Sequence, residues 1–175
     1  KEGAVLRDII NPLIPTIERV TVNPISEYVD ISWNVNPSED TYGYIIYRYD
    51  GFVWPAVDTV WGRFTTNYTY VPTTSSVEPE AFRISAFDSC FTDIDPPTYQ
   101  TSALSEGHWT IHLQESYDLC QKSIGLAWTP YEGWLDEVEK YEVVVSIGGS
   151  PYETIATIES ANLTYNHVNL LYDVN

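Results

Sequence analysis

The sequence predicts an all-β chain, two related β-sandwich modules in tandem, the second lacking its last two strands. Three observations carry this. A short alternating strand ending in tryptophan occurs twice, as Val29-Asp-Ile-Ser-Trp33 and as Ile124-Gly-Leu-Ala-Trp128. With those tryptophans aligned, Asn67-Tyr-Thr-Tyr70 falls on Asn162-Leu-Thr-Tyr165 without a gap, a period of 95 residues. That is too long for a solenoid repeat and right for whole domains. Between these anchors, Tyr44-Ile-Ile-Tyr-Arg-Tyr-Asp-Gly51 matches the stretch Tyr141–Gly148 after a two-residue shift. Third, 43% hydrophobic and 14% aromatic residues, with 14 tyrosines and 11 prolines, suit a core built from strands and turns.

The elements follow in order. Residues 1–14 read as a leading segment or a linker from a preceding module. They contain the apolar run Ala4–Ile10 and, at the boundary, Pro12 and Pro15. Module one spans 15–105. Ile17–Val22 reads as its first strand and Tyr28–Trp33 as its second, with Val29, Ile31 and Trp33 on one face. Asn36–Asp40 is turn chemistry, Tyr42–Tyr49 a third strand, and Asp50-Gly51 a hairpin signal into Val53–Trp61. Thr65–Val71, the alternating Ala81–Phe87 and Thr98–Leu104 complete seven strands. Module two spans 106–175, with strands expected at Trp109–Leu113, Ile124–Trp128, Tyr141–Ile147, Tyr152–Ile158 and Leu163–Leu170. The 95-residue period maps Glu80 onto residue 175, so the sixth and seventh strands are expected to be absent and a sheet edge exposed.

The formal charge of −17 excludes nucleic acid as a partner, since phosphate binding needs a basic face. It also disfavours anionic membrane surfaces. No apolar run reaches about 18 residues, so no membrane-spanning helix is expected. The sequence shows no signal peptide and no initial methionine, as expected of a processed product or an excised piece.

The tryptophan of the second strand, the tyrosine of the third and the seven-strand cadence resemble fibronectin type III domains. Phe82 stands where that family has its sixth-strand tyrosine, so no tyrosine corner is expected. A narrower resemblance runs through Tyr44–Arg48, Trp54, Asp58–Val60, Arg83–Cys90, His108–Leu113, Cys120 and Leu126-Ala-Trp-Thr-Pro-Tyr-Glu-Gly-Trp134. These stretches are similar to tandem fibronectin-type repeats of long secreted Bacteroidota proteins, many of which end in a gliding-motility-associated C-terminal sorting domain. The resemblance implies an exported, surface-attached protein, without implying a part in gliding.

It also implies one disulfide across the module boundary, Cys90 to Cys120, because the resembling repeats carry cysteines in these places. Asp58-Thr59-Val60 is similar to the Bacteroidota O-glycosylation acceptor, which makes Thr59 a candidate. Trp33, Trp128, Tyr44 and Tyr141 are the expected core anchors. Trp54, Trp61, Trp109 and Trp134 exceed what two cores need. Of these, Trp54, Trp61 and Trp134 could form a ligand face for sugar rings, and packing between modules or over an edge is preferred.

Asp88, Asp93 and Asp95 could make a calcium site at the junction, though a solvated acidic loop is the preferred reading. His108 and His112 share a strand face but have no third ligand at metal-like spacing, so no metal or cofactor is expected. No nucleophile elbow or phosphate loop occurs, and an enzyme is not expected. The sequence points to non-catalytic structural, adhesion or spacer modules. The alternatives are a module binding glycan or protein rather than a small molecule through exposed tryptophans, and an accessory domain of a secreted hydrolase. Ala4–Ile10 is further expected to pair as a strand, swapping onto the open edge of a second copy.

Overall fold

A computed structural model describes residues 10–94 and 97–168. Ala4–Ile9, most of the expected swapping strand, and Leu170 lie outside the described residues. The strands are β1 (Ile17–Val22), β2 (Val29–Trp33), β3 (Thr41–Arg48), β4 (Ala56–Trp61), β5 (Asn67–Tyr70), β6 (Ala81–Ile94) and β7 (Pro97–Thr101). They continue as β8 (His108–Trp109), β9 (Leu113–Asp118), β10 (Ser123–Trp128), β11 (Lys140–Val145), β12 (Glu153–Glu159) and β13 (Thr164–Val168).

In the first module the sheet β1-β2-β5 faces the sheet β4-β3-β6-β7, all pairs antiparallel. This is a fibronectin type III-like sandwich. Period-two alternation sends Val29, Ile31 and Trp33 of β2 inward, against Tyr44 and Ile46 of β3 and Phe82, Ile84 and Ala86 of β6. Trp33 and Tyr44 meet edge to face, their centroids 5.2 Å apart. The Tyr44 hydroxyl accepts the Asn36 N–H at 2.9 Å and donates to the Arg63 carbonyl at 2.8 Å, so this buried phenol both donates and accepts.

The last strand of this module is longer than β7. Beyond Thr101, the Ser102 and Ser105 amides donate to the Ala86 and Ile84 carbonyls, while their hydroxyls accept the Ala86 and Ile84 amides. β8 then pairs with β6 through Trp109–Ala81 and His108–Phe82. The expected strand Trp109–Leu113 of module two is therefore divided. His108–Trp109 extends the first module's sheet, and β9 opens the second's, pairing with β10 from Leu113 opposite Trp128.

The second module repeats the first in its hydrogen bonds. Trp33 N–H donates to Thr66 and Trp128 N–H to Leu163; Asn34 N–H donates to Thr16 and Thr129 N–H to His112, each at 3.0 Å. The Tyr131 N–H donates to the Tyr141 hydroxyl as Asn36 does to Tyr44, and Trp128 meets Tyr141 edge to face at 5.7 Å. The register also corrects the gapless alignment. Ile31 opposes Tyr68, whereas Leu126 opposes Tyr165, so Tyr165 takes the place of Tyr68 and not of Tyr70. The Asn-x-Thr-Tyr coincidence is not a structural equivalence. The two-residue insertion enters between Tyr131 and Tyr141 and persists downstream.

Among the described residues the second module has the sheets β13-β10-β9 and β11-β12. Its anchors are looser, Trp128 and Val143 each 9% exposed against 1% for Trp33. Truncating Trp33 to Ala opens a sealed core and should cost about 4 kcal/mol, whereas Trp128→Ala should cost less than half as much. Urea unfolding followed by amide exchange of β2 and β10 checks the difference.

Candidate functional site

Side chains of both modules meet along β1 and at the start of β6. Among the described residues β1 bonds β2 on one side and no strand on the other, an edge whose backbone groups need other partners. The segment between β10 and β11 covers that edge. Trp134 Nε1 donates to the Glu18 carbonyl at 2.6 Å, and the Val20 N–H donates to the Tyr131 hydroxyl at 3.0 Å. Tyr131 stacks on Trp134 with centroids 4.3 Å apart and meets the edge of His108 at 5.8 Å.

The Tyr131 hydroxyl, which accepts from Val20, is also hydrogen-bonded to His108 Nδ1 at 2.9 Å. Burial lowers the His108 pKa from its usual 6.5, partly opposed by Glu106. Burial likewise raises the Tyr131 pKa, against the Val20 N–H and Arg19. Both shifts favour the neutral forms of the two side chains.

Gly133 makes the approach possible. Its φ is +128°, and a Cβ there would overlap the His108 ring.

A second set of contacts lies at the start of β6. The Glu80 N–H donates to Thr110 Oγ1 and its carbonyl accepts the Thr110 N–H, at 2.9 and 2.8 Å. The Glu80 carboxylate is wholly buried and accepts from Arg48 Nε at 2.6 Å and from the Thr73 hydroxyl. His112 Nδ1 donates to the Ser75 carbonyl at 3.0 Å. The polar groups converging here are bonded across the boundary, so their chemistry is positional. A cleft of about 530 Å³ beside the Trp134 and His108 contacts is lined by Ile17, Leu104, His108 and Trp134, with Glu106, Asp136 and Glu137.

The expected disulfide is overturned: Cys90 and Cys120 are not bonded to one another. β8 runs antiparallel to β6 and leaves it at Ala81, toward Glu80 and Ser75. Cys90 lies about 30 Å from Ala81 along β6 in the opposite direction, counting about 3.3 Å per residue. β9 carries Cys120 onward into an exposed turn. A disulfide needs Cα atoms within about 7 Å.

The candidate ligand face divides. Trp61 belongs to a cluster on the outer side of the β4-β3-β6-β7 sheet, meeting Tyr42 at 5.3 Å, Phe87 at 5.1 Å and Tyr99 at 6.2 Å. Phe87 lies over Gly43, where a Cβ would come within 2.6 Å of its ring. Trp61 is 55% exposed and Tyr42 46%. Trp54 is engaged elsewhere, beneath the Arg83 guanidinium at 4.5 Å and against Tyr49 at 5.0 Å, with Trp109 beyond Tyr49. Trp134 is on the edge of the other sheet. Thr59 is exposed on β4. Asp88 is buried, its Oδ1 accepting the Cys90 N–H. Asp95 and the side chain of Asp93 lie outside the described residues. Among the described residues no group of three His, Cys, Asp or Glu could hold a metal ion.

No protein-family model matches the chain, and no curated protein matches it. Solved structures similar to it include a Fn3-like protein from Clostridium thermocellum, at 15% identity and a TM-score of 0.41 over 57% of this chain and 88% of that one. Another is the FN1-FN3 domains of chicken CNTN1, at 12% identity and a TM-score of 0.44 over 91% of this chain and 57% of that one.

Tyr131→Phe strands the Val20 N–H and His108 Nδ1, and should destabilise the junction by about 2 kcal/mol. Gly133→Ala should loosen it as well. Residual dipolar couplings should then no longer fit one orientation of β2 and β10, while both sandwiches keep their amide protection.

The pH dependence follows from His108. Its folded pKa lies below 6.5, so the unfolded chain binds the extra proton first as pH falls. Stability contributed here is whole above pH 6.5 and is lost progressively below it. Unfolding midpoints should fall more steeply below pH 6.5 in the wild type than in His108→Gln.

Proposed function

We propose that the chain is a non-catalytic spacer or adhesion segment of an exported, cell-surface bacterial protein. Its fibronectin-type modules would carry other domains away from the cell at a fixed angle. One observation carries this reading: the Tyr131–Trp134 loop of one module hydrogen-bonds the β1 edge of the other, while β8 extends the first module's sheet up to the boundary. A flexible tether between independent domains needs neither feature. Export, surface attachment and the Bacteroidota type are supported by the resemblance of the repeats. O-glycosylation at Thr59 is compatible with its exposure.

The test is the width of one distance. With Cys90→Ser and Glu39→Cys, spin labels at residue 39 and at the native, exposed Cys120 report across the junction. A single narrow distribution, broadened by Tyr131→Phe, is expected. A broad distribution in the unmodified junction would overturn the rigid spacer.

The Trp61 cluster favours a second reading, a glycan-binding face, since an exposed aromatic surface held by its neighbours can stack on sugar rings. Glycan-array signals lost in Trp61→Ala would support it. Silence across a broad array would leave the spacer reading alone.

A further inference from the structure

The outer face of the β4-β3-β6-β7 sheet carries more than the Trp61 cluster. Period-two alternation sends Phe82, Ile84 and Ala86 of β6 into the core and leaves Arg83, Ser85 and Phe87 on the outer side. The register sets these beside Tyr47, Ile45 and Gly43 of β3, and Gly43 beside Trp61 of β4. One face of the first module thus holds, in line, the Trp61 cluster, the Tyr47 and Ser85 hydroxyls 3.2 Å apart, and Arg83. Phe87 and Arg83 are four positions apart on β6, about 13 Å at about 3.3 Å per residue.

Arg83 is held in place but not satisfied. Its guanidinium lies over Trp54 at 4.5 Å, and Trp54 is backed by Tyr49 at 5.0 Å, so the plane of the fork is fixed. Among the described residues it donates no hydrogen bond and meets no carboxylate, and its Nε is buried without a partner. Arg48 reaches Glu80, and Arg63 reaches the carbonyls of Asn36 and Pro37. In a chain with 25 acidic and 8 basic residues, a half-buried guanidinium without an acceptor is an unmet demand. Glu106 lines the junction cleft instead. Gly107 beside it offers no side chain, and a Cβ there would lie 3.3 Å from both Nε and the Trp54 ring.

We propose that this face binds an acidic polysaccharide, with a sugar carboxylate paired to Arg83 and another ring of the same chain stacked on Trp61. The inference rests on the glycan-binding reading of the Trp61 cluster and adds the charge of the ligand. An oriented guanidinium presents parallel N–H groups that match the two oxygens of a carboxylate. The exposed rings of Trp61 and Tyr42 supply apolar faces for sugar rings. Between the two ends, the partly exposed Tyr47 hydroxyl can bond a sugar hydroxyl. The chain's −17 opposes any anion at long range, but that repulsion is screened beyond about 8 Å in physiological salt. Selection is therefore by contact rather than by field.

The probe is the trimer of galacturonic acid, titrated calorimetrically into the full chain in physiological salt, against the same trimer fully methyl-esterified. The acid is expected to bind. Esterification removes the charges but keeps the rings, and should weaken binding at least about tenfold. Arg83→Gln should weaken the acid by a similar factor and leave the ester unchanged. Arg83→Lys keeps the charge without the fork and should restore only part of the loss. The ester comparison uses unaltered protein, so it is independent of any variant's folding. Equal binding of acid and ester, or acid binding insensitive to Arg83→Gln, would overturn the proposal and leave the glycan reading standing wherever Trp61→Ala still abolishes binding. No binding of the acid at millimolar concentration would overturn it as well. Array signals from neutral glycans would then preserve the glycan reading, and a silent array would remove both.

Discussion

An unpaired sheet edge is the constraint on which this molecule is built. A sandwich closes its two faces by burying apolar side chains, but its edge strands still present backbone N–H and C=O groups that need partners. β1 is such a strand. Its outward groups at Glu18 and Val20 receive an indole N–H and a phenol from a loop of the neighbouring module. Covering the edge and joining the modules are therefore one event. The same phenol reaches His108, which sits on the strand continuing the first module's other sheet. One side chain thus ties together both sheets of one module and the loop of the next.

The buried ion pair adds a second fixed point. Glu80 precedes β6, and its carboxylate is removed from water and met by Arg48 and Thr73. Breaking such a pair is far costlier than its net contribution to stability suggests, because the remaining charge stays buried. Its backbone, at the same residue, is bonded to Thr110 through both N–H and C=O. The group that fixes the turn into β6 also fixes where the chain enters the second module. Rigidity here comes from polar groups with no alternative partner, rather than from a covalent staple.

How much of this was legible depended on the kind of signal. Alternation placed Val29, Ile31 and Trp33 in the core because period two is a property of the strand itself. The fold class and the equivalence of Tyr44 with Tyr141 followed from repeated large residues, whose burial cannot shift without cost. The Asn-x-Thr-Tyr match misled, because small polar and aromatic residues suit any half-exposed strand, and a two-residue slip returns the same face. Its rival, the two-residue shift at Tyr141, held the more useful information. The insertion it implies lies in the segment that carries Gly133 and Trp134. The cysteines misled for another reason: spacing along the chain is silent about direction, and β6 and β9 carry them to opposite ends. Tyr131 and His108 could not be read as partners at all, since their contact depends on how the two modules dock.

Repetition explains why the two copies differ in what they offer. Both contain the same tryptophan–tyrosine anchor, the same two backbone–backbone bonds beside it and the same backbone N–H on the tyrosine hydroxyl. Those interactions specify a pair of sheets but do not close the space between them. In the first copy β6 closes it, and the surplus aromatics, Trp61 and its neighbours, are left to the outer face. In the second copy the anchor residues remain partly open to an apolar groove. Burial around the anchor is thus set by the strand that packs beneath it, and not by the anchor itself.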